Sequence, residues 1–284
     1  MKITNRILIF VFLLIIFIVI FLIINNYQIY NDSFSNKVST YDYPDYGNVN
    51  CYTGDTVICG KLQKDKKWEI DLSKEIEKYY KPNTLFLSIG ASYGIHSLYI
   101  GNLIAKRNQS GKVYAFEAQP KIYELLQKNI RINNLENIII AKPFGLGNKN
   151  CRISFLVPKD YDNYTNPGSI SVKPLNYDNK HNPGKIMMKD EGENYLENSE
   201  EEQANIKTLD SLKLDNISVI RLDVNGYELE VLEGAIDTLY KNKPYIFLVI
   251  WESHFDKYKE WINKNLGFYN FSNISGIDYL LSPK

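Results

Sequence analysis

The chain has 284 residues, with 33 Lys and Arg against 33 Asp and Glu, and is 44% hydrophobic and 23% charged. Those values suit a globular domain; they exclude a disordered or collagen-like chain and leave no basic excess from which to argue a nucleic-acid surface. The three cysteines, Cys51, Cys59 and Cys151, are too few for a disulfide framework or a four-cysteine zinc site. Cys51 and Cys59 either close a small loop in an oxidising compartment or stay unpaired.

A short tail, 1–6, precedes an unbroken apolar run from Ile7 to Ile24. Its 18 residues of Ile, Leu, Val and Phe would span about 27 Å as a helix, close to the thickness of bilayer hydrocarbon. The run lacks the polar stripe of a core helix and is longer than a cleaved signal's apolar region. It reads as a transmembrane signal-anchor over 7–24, with the lipid bilayer as its partner. Lys2 and Arg6 precede the run and the next cation is Lys37. The positive-inside rule then puts the N-terminus in the cytosol and the remainder on the lumenal or outer side. Six N-x-S/T sequons, at Asn31, Asn108, Asn163, Asn216, Asn270 and Asn273, agree with a glycoprotein, although composition alone yields about three.

Residues 25–60 are polar, aperiodic and rich in Asn, Tyr and Asp, and read as a stalk. From 61 to 284 strands and amphipathic helices alternate. Strands are expected at 84–89, 112–116, 138–140, 219–223 and 245–250, and a closing antiparallel hairpin at 268–271 and 277–281. Ile95, Leu98 and Leu103, then Ile122, Leu125 and Ile130 behind Pro120, then Leu229, Leu232, Ile236 and Leu239, follow helical spacing. Asn129, Asn133 and Asn134 fall at a helix end and read as capping residues. The alternation predicts an α/β fold, doubly wound around a mainly parallel sheet. It is interrupted by a long inserted loop, about 157–207, whose second half is acidic.

The first strand runs into Gly90-Ala91-Ser92-Tyr93-Gly94 and then a helix. Two glycines at such a turn let main-chain N–H groups approach a ligand at the positive end of the helix. The spacing lacks the central glycine of a dinucleotide fingerprint, which argues against a nicotinamide enzyme. The second strand ends in Glu117, an acid placed to accept two ribose hydroxyls.

On these residues the chain resembles the FkbM-type family of S-adenosylmethionine-dependent methyltransferases. The resemblance runs from Trp68-Glu69 through Ser88 to Leu98 and Gly111 to Glu117, and on through Leu125 to Leu135 and Gly168 to Ser171. It continues in Thr208 to Leu212, then Asp223-Val224-Asn225-Gly226-Tyr227-Glu228, and ends at Trp251-Glu252. It implies a Rossmann-like methyltransferase fold, S-adenosylmethionine as donor, and a hydroxylated small molecule or glycan as acceptor. It also implies that Ser88, Gly90, Ala91, Ser92, Gly94, Glu117, Ala118 and Gly145 bind the donor, with the Phe144-Gly145 turn near its adenine.

Methyl transfer to an alcohol needs a base for the hydroxyl proton. Asp223, Glu228, His96, Glu252 and His254 are expected at the carboxyl edge of the sheet. Asp223 is the expected base or acceptor-orienting carboxylate, with Glu228 supporting it and Asn225 beside them. Oxygens from Asp223, Asn225 and Glu228 would suit Mg²⁺. The family favours Asp at position 88, Asn at 92, Pro at 118 and Glu at 225. Ser88, Ser92, Ala118 and Asn225 depart from that pattern, which leaves a non-catalytic binding protein on the same fold as the alternative function.

Overall fold

The computed structural model describes residues 12–21, 38–161, 165–170 and 199–284, and the chain divides into two units at Ser39/Thr40. In the first, residues 12–21 form helix α1, all of them exposed. The rest of the expected 7–24 span lies outside the described residues. Among those that are described, no helix is long and apolar enough to cross a membrane.

The second unit is built on a seven-stranded sheet. Its strands are β3 (Leu85–Ile89), β4 (Lys112–Phe116), β5 (Ile139–Lys142), β9 (Ile217–Leu222), β10 (Tyr245–Val249), β11 (Tyr269–Ser275) and β12 (Asp278–Pro283). They lie in the order β11-β12-β10-β9-β3-β4-β5. Pairing is parallel from β10 to β5, and β12 runs antiparallel to both β10 and β11. This is the expected α/β fold with its closing hairpin. Every residue of β9 is buried, as a central parallel strand covered on both faces requires. The helices are α2 (Ile58–Asp65), α3 (Ile70–Tyr79), α4 (Ile95–Lys106), α5 (Pro120–Ile132), α6 (Glu228–Glu233), α7 (Ile236–Asn242) and α8 (Phe255–Asn265). The strand order reverses beside β3, whose neighbours β4 and β9 lie on opposite sides. In open α/β sheets that reversal opens a crevice at the carboxyl ends of the strands.

Four expectations need correction. A stalk does not extend to residue 60. β1 (Val38–Tyr43) and β2 (Gly47–Tyr52) pair, Tyr43 and Tyr46 are buried, and a disulfide joins Cys51 to Cys59 with their Cα atoms 6.2 Å apart. The reason lies in α5. Asn129 Oδ1 accepts the Asn50 main-chain N–H at 2.6 Å and its Nδ2 donates to the Asn50 carbonyl at 3.0 Å. One turn on, Asn133 does the same for Asn48, at 2.8 and 2.7 Å. Two amide side chains thus present β2 with the donor-acceptor pattern of a neighbouring strand. Asn129, inside the helix, is therefore not a cap; Asn133 is the C-cap residue of α5 and its Nδ2 also donates to the Asn129 carbonyl at 2.7 Å, and Asn134, with φ +56°, takes the left-handed position that follows.

The acidic end of the expected loop is also structured. β8 (Ser199–Lys207) pairs antiparallel with β7 (Cys151–Pro158) and parallel with β6 (Gly145–Leu146). Ala204 and Ile206 turn inward while Glu201 and Gln203 face solvent, the alternation of a half-buried strand. Residues 162–164 and 171–198 of that loop lie outside the described residues. The single helix expected through Leu229 to Leu239 is two, α6 and α7, broken at Gly234. A Cβ there would lie 1.9 Å from the Gly147 carbonyl oxygen, so β6 and its turn pack against the break.

Candidate active site

Gly90 closes β3 with φ +79°, and a Cβ on it would lie 1.8 Å from the Asp223 carbonyl oxygen. The ends of β3 and β9 can approach this closely because position 90 carries no side chain. The Gly90 and Ala91 N–H groups donate to the Phe116 carbonyl at 3.0 and 2.9 Å. Ser92 N–H donates to Glu117 Oε2 at 2.9 Å and Gln119 N–H to Oε1 at 2.9 Å. Gly94 N–H donates to the Ala91 carbonyl. The amides of Gly90, Ala91, Ser92 and Gly94 are therefore committed to the turn itself, and the expectation that they reach a ligand is corrected: they bind the loop to the end of β4 and fix Glu117. That carboxylate is buried. Burial pushes its pKa up, while the N–H groups of Gln119, Ser92 and Ala118 pull it down. Each oxygen accepts one main-chain N–H, which leaves lone pairs for two more donors.

Glu117 lines a cavity with Gly90, Ser92, Ala118, Gly145, Asp223 and Asn225. Five residues expected to bind the donor, Gly90, Ser92, Glu117, Ala118 and Gly145, are thus brought together with Asp223 and Asn225. Ala91 lies on a neighbouring cavity instead, and Ser88 and Gly94 line neither. Ser88 is buried within β3, and Gly94 starts α4 in the left-handed conformation, φ +93°. Gly145 reaches the cavity, while Phe144 packs on Phe116 at 5.6 Å under Lys207.

The neighbouring cavity, about 250 Å³, shares Gly90, Ser92, Gly168, Asp223 and Asn225 with the first. Its other walls hold Trp68, Glu69, His96, Arg221, Trp251 and Asp278. Arg221 projects from β9 and is 3% exposed. Its Nη1 donates to Asp278 Oδ1 at 2.8 Å, its Nη2 donates to Asp223 Oδ2 at 3.2 Å, and Glu69 Oε2 lies 3.6 Å from Nη2. Glu69 also lies 3.0 Å from His96 Nε2, and His96 Nδ1 lies 2.8 Å from Ser73 Oγ. Burial would raise the Glu69 carboxyl, but His96 and Arg221 outweigh it and hold its pKa at about 2. Asp223 is shifted upward by burial, against the pull of Arg221. With both ring nitrogens engaged, His96 acts on Glu69 rather than as a free base.

Sequence reasoning missed Arg221 and Asp278 and saw Glu69 only as part of a matching block. The one available signal was a charged residue inside the apolar strand Val219-Ile220-Arg221-Leu222, since an arginine buried there requires partners. Glu252 and His254, expected at this edge, line neither cavity, and His254 stacks against Tyr258 at 6.2 Å.

Asn225 and Glu228 act through the backbone around them. Asn225 Nδ2 donates to the Gly168 carbonyl at 2.9 Å and to the Ile170 carbonyl at 3.4 Å. It thereby holds the 167–170 segment across both cavities, and its φ of +53° is one that Asn tolerates well. A glutamate could not donate to those carbonyls, which accounts for the departure at 225. Glu228 is 1% exposed and lines neither cavity. Its Oε1 accepts the Val224 and Gly226 N–H groups, each at 3.0 Å, and its Oε2 accepts the Tyr258 hydroxyl at 3.0 Å. It positions the Asp223–Gly226 turn, which is the supporting role expected of it, and lines neither cavity. Burial raises its pKa to about 7. The Mg²⁺ expectation is corrected as well, because Asp223, Asn225 and Glu228 point to three different partners. Among the described residues no group of three or more His, Cys, Asp or Glu is placed to hold a metal ion.

A family model described as "Methyltransferase FkbM domain" matches residues 88–281. No curated protein matches the chain. Among solved structures it is similar to the methyltransferase FkbM from Methylobacillus flagellatus KT, at 13% identity and TM-score 0.45, covering 74% of this chain and 50% of that one. This chain thus spans half the length of that relative. It is also similar to the precorrin-6y C5,15-methyltransferase from Geobacter metallireducens GS-15, at 13% identity and TM-score 0.41, covering 74% and 85%. A third is a SAM-dependent methyltransferase from Aquifex aeolicus, at 11% identity and TM-score 0.39, covering 78% and 95%.

Proposed function

The chain belongs to the methyltransferase FkbM domain family, and on that premise we propose that it transfers a methyl group from S-adenosylmethionine to a hydroxyl of a sugar, glycan or other small acceptor. One observation carries this reading: two cavities meet at Gly90, Ser92 and Asp223, and Asp223 is the carboxylate that lines both. On the Glu117 side the residues fit a nucleoside. A buried carboxylate keeps lone pairs for vicinal hydroxyls, and the Ser92 hydroxyl is buried without a partner among the described residues. When bound, the donor supplies a methyl on a cationic sulfur; the acceptor oxygen forms the new C–O bond as the C–S pair returns to sulfur. This chain's residues then have three tasks. Glu117 binds, Asn225 holds the 167–170 segment so that water is kept out, and Asp223 accepts the hydroxyl proton. Burial helps Asp223, because a carboxylate with a raised pKa is the better base near neutrality.

Calorimetry with S-adenosylmethionine and S-adenosylhomocysteine on the detergent-solubilised full chain tests the reading. Binding is expected, weakened at least about tenfold, or 1.4 kcal/mol, by Glu117→Ala. Absence of binding in the parent chain would sink it.

A binding protein without turnover is the second reading. It is favoured by the neutral Ser88, buried in β3 away from both cavities. Binding of S-adenosylmethionine without methylation of any hydroxylated acceptor would select it.

Membrane anchoring through 7–24, with residues 40–284 on the lumenal or outer side, rests on the apolar run and the flanking charges. Asn108, Asn216, Asn270 and Asn273 are all exposed, so mass spectrometry of the native protein should find glycan on at least one of them. A domain free of glycan and reached by protease from the cytosolic side would reverse the orientation.

A further inference from the structure

The cavity beside the donor side has a charge pattern that selects its occupant. Three carboxylates, from Glu69, Asp223 and Asp278, surround one guanidinium, that of Arg221. Both terminal nitrogens of that guanidinium are engaged, and its Nε has no partner among the described residues. Lys61 lies over the Trp68 ring, 5.0 Å from its centroid, but does not line the cavity. Among the residues that line the cavity, three carboxylates therefore stand against Arg221, joined by His96 when protonated, while Lys61 acts on Glu69 from outside the lining. The carboxylates are not sealed: the side chains of Glu69, Asp223 and Asp278 stay 33%, 39% and 21% exposed. An ionised carboxylate only accepts hydrogen bonds, so the charged part of this wall offers acceptors, and the unengaged donors beside it are the Arg221 Nε–H, the Trp251 Nε1–H and the Ser92 hydroxyl. Trp68 and Trp251 add apolar ring surface, and Trp251 Nε1 is buried without a partner among the described residues. Hydroxyls on a ring with an apolar face match such a wall. A phosphate or carboxylate would meet three like charges, against which the unengaged Arg221 Nε–H, Trp251 Nε1–H and Ser92 hydroxyl are its donors.

We propose that the acceptor is a neutral or amine-bearing polyol, a sugar with adjacent free hydroxyls, and that Glu69, Asp223 and Asp278 around Arg221 reject acidic sugars. This rests on the methyltransferase reading above for its use of the cavity, but not for the cavity's charge.

The test uses the full chain in detergent, saturated with S-adenosylhomocysteine, and saturation-transfer NMR with four probes: glucose, glucosamine, glucuronic acid and glucose 6-phosphate. Glucose and glucosamine should bind at least about tenfold more tightly than the two anionic probes. Asp278→Asn and, separately, Glu69→Gln should each narrow that ratio by about fivefold through loss of one repelling charge. Two variants on different elements guard against one that does not fold. Glucuronic acid or glucose 6-phosphate binding as tightly as glucose would overturn the proposal, and so would no binding of any probe. S-adenosylhomocysteine binding, measured in the same samples, separates the two claims. If it binds but the sugars are not discriminated, only this proposal falls. If it does not bind and the sugars are discriminated, the cavity's chemistry stands and the methyltransferase reading falls.

Discussion

Two kinds of carboxylate stand around the two cavities, one buried and one partly exposed. Glu117 and Glu228 are held by main-chain N–H groups of adjacent turns, at 2.9–3.0 Å. Glu69, Asp223 and Asp278 are held by the side chain of one arginine on β9. The first kind depends on backbone geometry that survives most side-chain changes and is confined to one or two turns. The second depends on a single side chain that gathers residues more than 200 positions apart in sequence, from Glu69 to Asp278. The donor side is therefore mechanically local, and the acceptor side is electrostatically assembled.

Arg221→Met is the most severe way to break that comparison. It leaves Asp223, Asp278 and Glu69 facing one another without a cation; a fully buried network would lose about 3–5 kcal/mol, and the partial exposure of these carboxylates puts the expected loss at the lower end, about 3 kcal/mol. Urea unfolding should show that loss, and it should shrink at pH 4, where protonation relieves the carboxylates. An unchanged midpoint would mean the arginine does not hold the wall together.

Glu228→Gln sharpens the contrast from the other side. The carboxyl titrates at about 7 in the folded chain, against 4.5 when unperturbed. The folded state thus binds the proton more tightly than the unfolded state. Its stabilising contribution is complete below pH 4.5 and is lost as pH rises to 7 and beyond. That shift corresponds to about 3 kcal/mol. Glutamine does not titrate, and its oxygen can still accept the Val224 and Gly226 N–H groups. The variant should match the parent near pH 4.5 and gain on it steadily up to pH 8. A difference independent of pH would sink the assignment.

The smallest effect is expected at Asn225→Ala. It removes two hydrogen bonds to the 167–170 segment, worth about 1 kcal/mol of stability each. The sharper readout is a fall in donor affinity that Asn225→Glu fails to restore, because a carboxylate has no N–H for the Gly168 and Ile170 carbonyls. Recovery by the glutamate variant would show that position 225 serves charge rather than cover.

Much of the fold was legible. Continuous apolar runs marked β3, β4, β5, β9 and β10, and the helix face behind Pro120 was read from its spacing. The structure adds why α5 carries Asn129 and Asn133: they pair with the backbone of β2, a partner about 80 residues earlier that no local pattern announces. β8 escaped because its inward Ala204 and Ile206 stand among acidic residues whose solvent face dominated the reading. At the site, Gly90, Ser92, Glu117 and Asp223 were expected because strand-end turns of α/β sheets are where ligands bind, and Ala118, Gly145 and Asn225 because the resemblance implied them; the structure places all seven on the wall of one cavity. The role of Asn225 was not legible, since hydrogen-bond direction is decided by what lies opposite.

The sequence by itself determined the alternation of elements, the glycine turn after the first strand and the acid after the second, because each follows from backbone preferences and burial within a few residues. Only the tertiary structure decided which charges share the second cavity. A buried arginine must be neutralised, but the chain positions that supply the opposite charges depend on which strands the sheet makes neighbours, and that is a property of the whole fold.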